Sequence, residues 1–165
     1  MEVLVDGKKI VLQKKYRKVG DEAPAVKIKM LNGQEKVIGM MSDKIQVMVT
    51  LPYSHSLNVD LIQCIHKHRE HTNIYLISSD LFYFKVNKEY SSMDFENFTL
   101  KYGVNIDSSL CAKSIFIINK NGEIEYMQIL DNLVDDFDLN KFDSELSRII
   151  NFKKKGHTHE HWMSA

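Results

Sequence analysis

Cysteine and proline are scarce in this 165-residue chain, at two residues each. Cys64 and Cys111 do not amount to the disulfide framework of a small secreted domain. Charge of one sign is lacking as well: Lys plus Arg and Asp plus Glu both number 22. No summed field therefore draws the chain to nucleic acid or to an anionic membrane. No stretch approaches the roughly 18 apolar residues of a membrane span. Residues 1–13 alternate apolar and polar side chains around Asp6-Gly7, where a signal peptide would run apolar. The expectation is a cytoplasmic protein whose two thiols are free, because the cytosol keeps thiols reduced.

At 44% apolar and 27% charged residues, the composition is that of a globular domain with one hydrophobic core. Residues 2–5 and 9–13 flank the tight-turn signal Asp6-Gly7-Lys8 and predict an opening β-hairpin. A second short pair, 25–30 and 35–38, is joined by Asn32-Gly33. Three apolar runs, 45–51, 74–78 and 114–119, are short and rich in Val, Ile or aromatic residues, as buried central strands are. Lys120-Asn121-Gly122 turns the last of them into an antiparallel partner at 123–130. Between the first two, residues 58–70 repeat Val59, Leu61, Ile62 and Ile65 at helical spacing, which makes a βαβ unit. A weaker helix is predicted over 93–101, and a terminal one over 139–152, with Phe142, Leu146, Ile149 and Ile150 on one face. The apolar pattern then stops. Residues 1–152 are read as one domain and 153–165 as a basic, His-rich flexible tail.

Within that order, four short motifs resemble the thiol peroxidase branch of the peroxiredoxins. They are Val19-Gly20-Asp21-Glu22-Ala23-Pro24, Ser78-Ser79-Asp80-Leu81, Lys101-Tyr102-Gly103-Val104 and the run from Leu110 to Asn119; Pro24 and Pro52 both fall where that family has a proline. The resemblance covers about residues 1–150. It implies an α/β fold of thioredoxin-like, peroxiredoxin type, a central sheet flanked by helices and preceded by an N-terminal β-hairpin, and a homodimer. The family's catalytic segment reads Pro-Ser-x-Asp-Thr-x-Val-Cys, and the corresponding run here is Pro52-Tyr53-Ser54-His55-Ser56-Leu57-Asn58-Val59. The resemblance thus puts Val59 where the peroxide-reducing cysteine belongs, and Lys113 where an arginine would grip the peroxide. A valine is no nucleophile, and a lysine lacks the planar fork that holds two oxygens at once. Ser56 keeps the hydroxyl of the family's threonine. The resolving cysteine would fall near Glu89, and no cysteine lies anywhere from Ile65 to Leu110. The expectation is a pseudoenzyme with a binding or regulatory role and a degenerate site at Pro52, Ser56, Val59 and Lys113. A protein or small molecule would be its partner, and neither nucleic acid nor a membrane is expected.

Two alternatives use other residues. A residual thiol oxidoreductase would rely on Cys64 or Cys111. Cys64, five residues past Val59, lies about 7.5 Å further along the helix, beyond its electropositive first turn. Cys111 precedes a strand beside Lys113, whose charge could lower the thiol pKa. No cofactor is required by the main reading, but a transition metal or haem would turn to the histidines. Cys64, His68 and His71, at i, i+4 and i+7, stack along one ridge of the helix, and His157, His159 and His161 line one side of an extended tail. Ser56 and Lys113 could still hold a small anion at the helix start. Tyr53, Phe82, Tyr83 and Phe84 form an aromatic group that either fills the former pocket or faces a partner.

Overall fold

The computed structural model describes residues 1–12 and 17–164, with side chains as far as Phe152. Two hairpins come first: β1 (Glu2–Val5) with β2 (Lys8–Val11), then β3 (Val26–Lys29) with β4 (Glu35–Ile38). Asp6 (φ 50°) and Gly7 (φ 77°) form the two-residue turn of the first, the left-handed pair that an Asp-Gly dipeptide favours. Strand β5 (Ile45–Leu51) leads through a 3₁₀ turn (Ser54–Ser56) into α1 (Val59–His66), and β6 (Thr72–Ser78) follows. Next are β7 (Ser91–Ser92), α2 (Glu96–Tyr102), β8 (Asn105–Asp107) and β9 (Leu110–Cys111). Strands β10 (Ser114–Ile118) and β11 (Ile124–Ile129) and helix α3 (Leu139–Ser164) complete the order.

The central sheet has the order β11-β10-β5-β6-β7. Strand β5 pairs parallel with β6 across the α1 crossover, the βαβ unit the sequence predicts, and antiparallel with β10. Side-chain alternation assigns its two faces. Ile45, Val47, Val49, Ile115 and Ile117 point to one side and are covered by Leu61 and Ile65 of α1 and by Phe142, Leu146, Ile149 and Ile150 of α3. Met48, Phe116 and Ile118 point to the other and meet Phe98 and Tyr102 of α2 together with Val3, Val26, Ile28 and Ile38 of the hairpins. Each such side chain, fully buried, contributes about 1.5–3 kcal/mol of hydrophobic transfer. This is the three-layer, thioredoxin-like α/β arrangement that the resemblance implies.

Three helix boundaries differ from the expectation. Helix α1 stops at His66 rather than near residue 70, and the chain continues in i+3 turns, Arg69 N to His66 O and His71 N to His68 O. Helix α2 starts at Glu96, because the Asp94 carboxylate accepts from Lys29 N of β3 and fixes the residues before it outside the helix. It ends at Gly103, whose φ of 76° only glycine adopts cheaply. Helix α3 also runs past the expected end at residue 152, through Ser164, although its apolar periodicity ends near Phe152.

Candidate functional site

Of the residues singled out from the sequence, Pro52, Ser56 and Val59 lie where β5 hands over to α1. Pro52 is buried, and the 3₁₀ turn after it is closed by Ser56, whose N–H donates to Tyr53 O (3.0 Å) and whose Oγ accepts from Tyr53 N (3.2 Å). Asn58 is extended (φ −122°, ψ 172°) and its Oδ1 accepts from Leu61 N at 2.9 Å, the N-cap bond that starts α1. Val59 is therefore the first residue of the helix, and its side chain is 54% exposed. That position has the electropositive end of a helix at its back, the setting that depresses a thiol pKa where a thiol is present.

The segment is held from the far side by residues whose role the sequence did not disclose. Ser79 Oγ donates to Pro52 O (3.0 Å) and accepts from Cys111 N (3.3 Å), while the Asp80 carboxylate accepts from Ser54 N (2.9 Å) and from Leu81 N (2.8 Å). Those two backbone bonds hold the Asp80 carboxyl below the usual carboxylate range. Ser78 Oγ in turn donates to Asp80 O and accepts from Asp80 N. The motif Ser78-Ser79-Asp80-Leu81, noted for its resemblance, is thus the clamp on the Pro52–Ser56 loop. Its signal was that serines and an aspartate follow a buried strand at once, where they can bond backbone.

Ser56 and Lys113 do come together, lining one cavity of about 340 Å³ beside α1 and the loop before α3. Val59 and Pro52 do not line it. Lys113 is only 3% exposed, neither solvated nor aimed into open space. Its Nζ donates to Asp135 O at 2.7 Å, lies 4.0 Å from Asp136 Oδ1 and sits 5.1 Å from the centre of the Phe137 ring. Burial pulls its pKa down, against the pull of Asp136 and Asp135. Asp60, Asp136 and Asp138 line the same cavity. One engaged cation among three carboxylates does not favour an anion there.

Neither thiol is in this cavity. Cys111 is wholly buried against Ser79, and burial pushes its thiol up to about 11; Lys113 is not among the groups that act on it, contrary to the expectation from their proximity in sequence. Cys64 sits mid-helix facing Leu139 O of α3 (3.8 Å), and burial and then Asp143 push its pKa up, with Lys67 opposing. A thiol held protonated is a poor nucleophile. Because α1 ends at His66, Cys64, His68 and His71 do not form a ridge, and no group of three His, Cys, Asp or Glu among the described residues is placed to hold a metal. His68 instead ties the turn after α1 to α3: its Nε2 is 3.0 Å from Asp143 Oδ1 and 3.3 Å from Ser147 Oγ. Both partners meet the same ring nitrogen, so the three are not a Ser-His-Asp relay, which needs one on each nitrogen. The side chains of His157, His159 and His161 lie outside the described residues. The aromatic group is split: Tyr53 stacks on His55 and packs on the hairpin side of the sheet, Phe82 packs on the helix side, and Tyr83 is 78% exposed.

No family model matches the chain. A curated protein, the thiol peroxidase of Aquifex aeolicus (strain VF5), is 25% identical over 169 residues, covering 90% of this chain and 98% of that protein. Among solved structures, a peroxiredoxin-like protein from Aquifex aeolicus superposes with a TM-score of 0.76 at 25% identity, over 90% of this chain and 96% of its own. The thiol peroxidase from Chromobacterium violaceum, at 16% identity and a TM-score of 0.70 over 89% and 96% of the two chains, shares the fold.

Proposed function

We propose that this chain, which belongs to the thiol peroxidase branch of the peroxiredoxins, is a pseudoenzyme in which peroxide reduction has given way to a binding or regulatory role. The observation that carries this reading is Val59 as the first residue of α1, with both thiols elsewhere and their pKa values raised. Peroxide reduction by a thiol needs a thiolate to attack one peroxide oxygen while the other leaves as water or alcohol. At the helix start no atom can do so. In this reading Ser56 and Lys113 hold the segment and the loop before α3 in place rather than a peroxide.

Treatment with hydrogen peroxide, followed by dimedone and mass spectrometry, tests the reading at the level of the thiols. Cys64 and Cys111 are expected to stay unlabelled in the native protein. Rapid dimedone labelling of either, abolished by Cys64→Ser or Cys111→Ser, would overturn it in favour of a residual oxidoreductase.

The reading includes two further elements. A homodimer is supported by the family resemblance and by exposed apolar side chains at Val59, Leu81, Tyr83 and Phe84 near one another in sequence or at the old site. The alternating histidines 157, 159 and 161 are proposed to take Zn²⁺ or Ni²⁺ only weakly, which metal titration with and without residues 153–165 would check. A cytoplasmic location remains part of the proposal; no helix among the described residues is long and apolar enough to cross a membrane.

A further inference from the structure

A second cavity, of about 440 Å³, opens on the opposite end of α1 from Val59, between that helix, β6 and the segment leading to β7. Nothing in the redox reading uses it. Its volume is within the range of small-molecule sites. The wall is apolar where the elements pack, through Ile62 of α1, Leu76 of β6 and Val86 of the following loop. Around it stand Lys44, Arg69 and Lys85, from three separate parts of the chain, and no Asp or Glu lines it among the described residues.

That distribution is a property of the fold and not of the composition. The chain carries equal numbers of acidic and basic residues, and the cavity beside Ser56 has three carboxylates to one lysine. Here the balance is reversed, with three side chains cationic at neutral pH and none anionic. None of the three is taken up by an ion pair among the described residues, whereas Lys27, Lys36, Lys67 and Lys141 each have a carboxylate partner. Cations lining one cavity with no carboxylate among them leave it a positive potential that an anion would offset. The apolar wall beside them adds the other half of a recognition code, since an apolar body gains by leaving water while its charged head meets the rim.

We propose that this groove binds a small amphipathic anion, an aliphatic or aromatic body with one carboxylate, sulfate or phosphate head. The head lies among Lys44, Arg69 and Lys85, and the body rests on Ile62, Leu76 and Val86. The inference is independent of whether the chain reduces peroxide.

The test is an amide chemical-shift titration of the full ¹⁵N-labelled chain with octanoate, with octan-1-ol as the neutral counterpart and inorganic phosphate as the head alone. Octanoate is expected to shift the amides of Ile62, Leu76 and Val86 saturably. Octan-1-ol and phosphate are each expected to bind about tenfold more weakly or less. An Arg69→Gln/Lys85→Gln double variant, changed only at exposed side chains, is expected to weaken octanoate binding about tenfold. Lys8→Gln, a charge removed on the distant first hairpin, is expected to leave it unchanged. Absence of saturable shifts in the groove, equal binding of octan-1-ol, equal binding of phosphate, or an unweakened double variant would each overturn the proposal.

Discussion

At the scale of single residues, the proposed loss of peroxide chemistry rests on one side chain, Val59, set at a well-bonded helix start. The N-cap at Asn58, the Ser56 turn and the Ser79–Asp80 clamp all persist around a valine. Val59→Cys is therefore expected to fold and to form sulfenic acid slowly on peroxide addition, read by mass spectrometry, since Lys113 is bound to Asp135 O and supplies no free cation. Gly39 makes a sharper structural prediction. Its φ is 89°, and a Cβ there would run into Pro24 O and come within 2.8 Å of the Tyr102 hydroxyl, which itself donates to Pro24 O. Gly39→Ala is expected to cost roughly 2–4 kcal/mol in denaturant melts. Much at this scale was hidden in the sequence. A lysine is ordinarily solvated, so nothing about Lys113 announced its burial; that depends on where the 131–138 loop crosses it.

Secondary-structure elements were legible in proportion to their length and pattern. Strands β5, β6 and β10 are continuous apolar runs and the first hairpin carries its own turn signal, so both kinds stood out. Strands β7, β8 and β9 have two or three residues each, too few to show a period, and they exist because neighbours offer them partners. The end of α1 depended on a tertiary contact as well, because His68 and Lys67 turn to Asp143 of α3. Burial alone would push the Asp143 carboxyl up, but the bonds from Lys67 and His68 outweigh it and hold its pKa below the ordinary value. A carboxyl lowered on folding stabilises the native state above its unfolded pKa, near pH 4, and loses that contribution as pH falls through the native value. Asp143→Asn is accordingly expected to be less stable than wild type by roughly 1 kcal/mol at neutral pH. The gap should close below about pH 4, as thermal melts across that range would register.

For the whole molecule, two faces of one sheet are closed by different means, helices α1 and α3 on one side and α2 with two hairpins on the other. This frame does not rest on the side chain of Val59, which is exposed. The outer surface there is where association is expected, and light scattering at micromolar concentration should return about twice the 19.2 kDa chain mass; a monomer would remove the dimer from the account. The fold class was readable from element order and four motifs, whereas the state of the site needed the thiols' surroundings, which only packing supplies. The central claim is that the fold remains and the thiol chemistry does not. It is tested most directly by thioredoxin-coupled consumption of hydrogen peroxide and of an organic hydroperoxide. Wild-type protein is expected to show no turnover above a protein-free control, whereas rapid turnover that disappears on Cys64→Ser or Cys111→Ser would contradict the account.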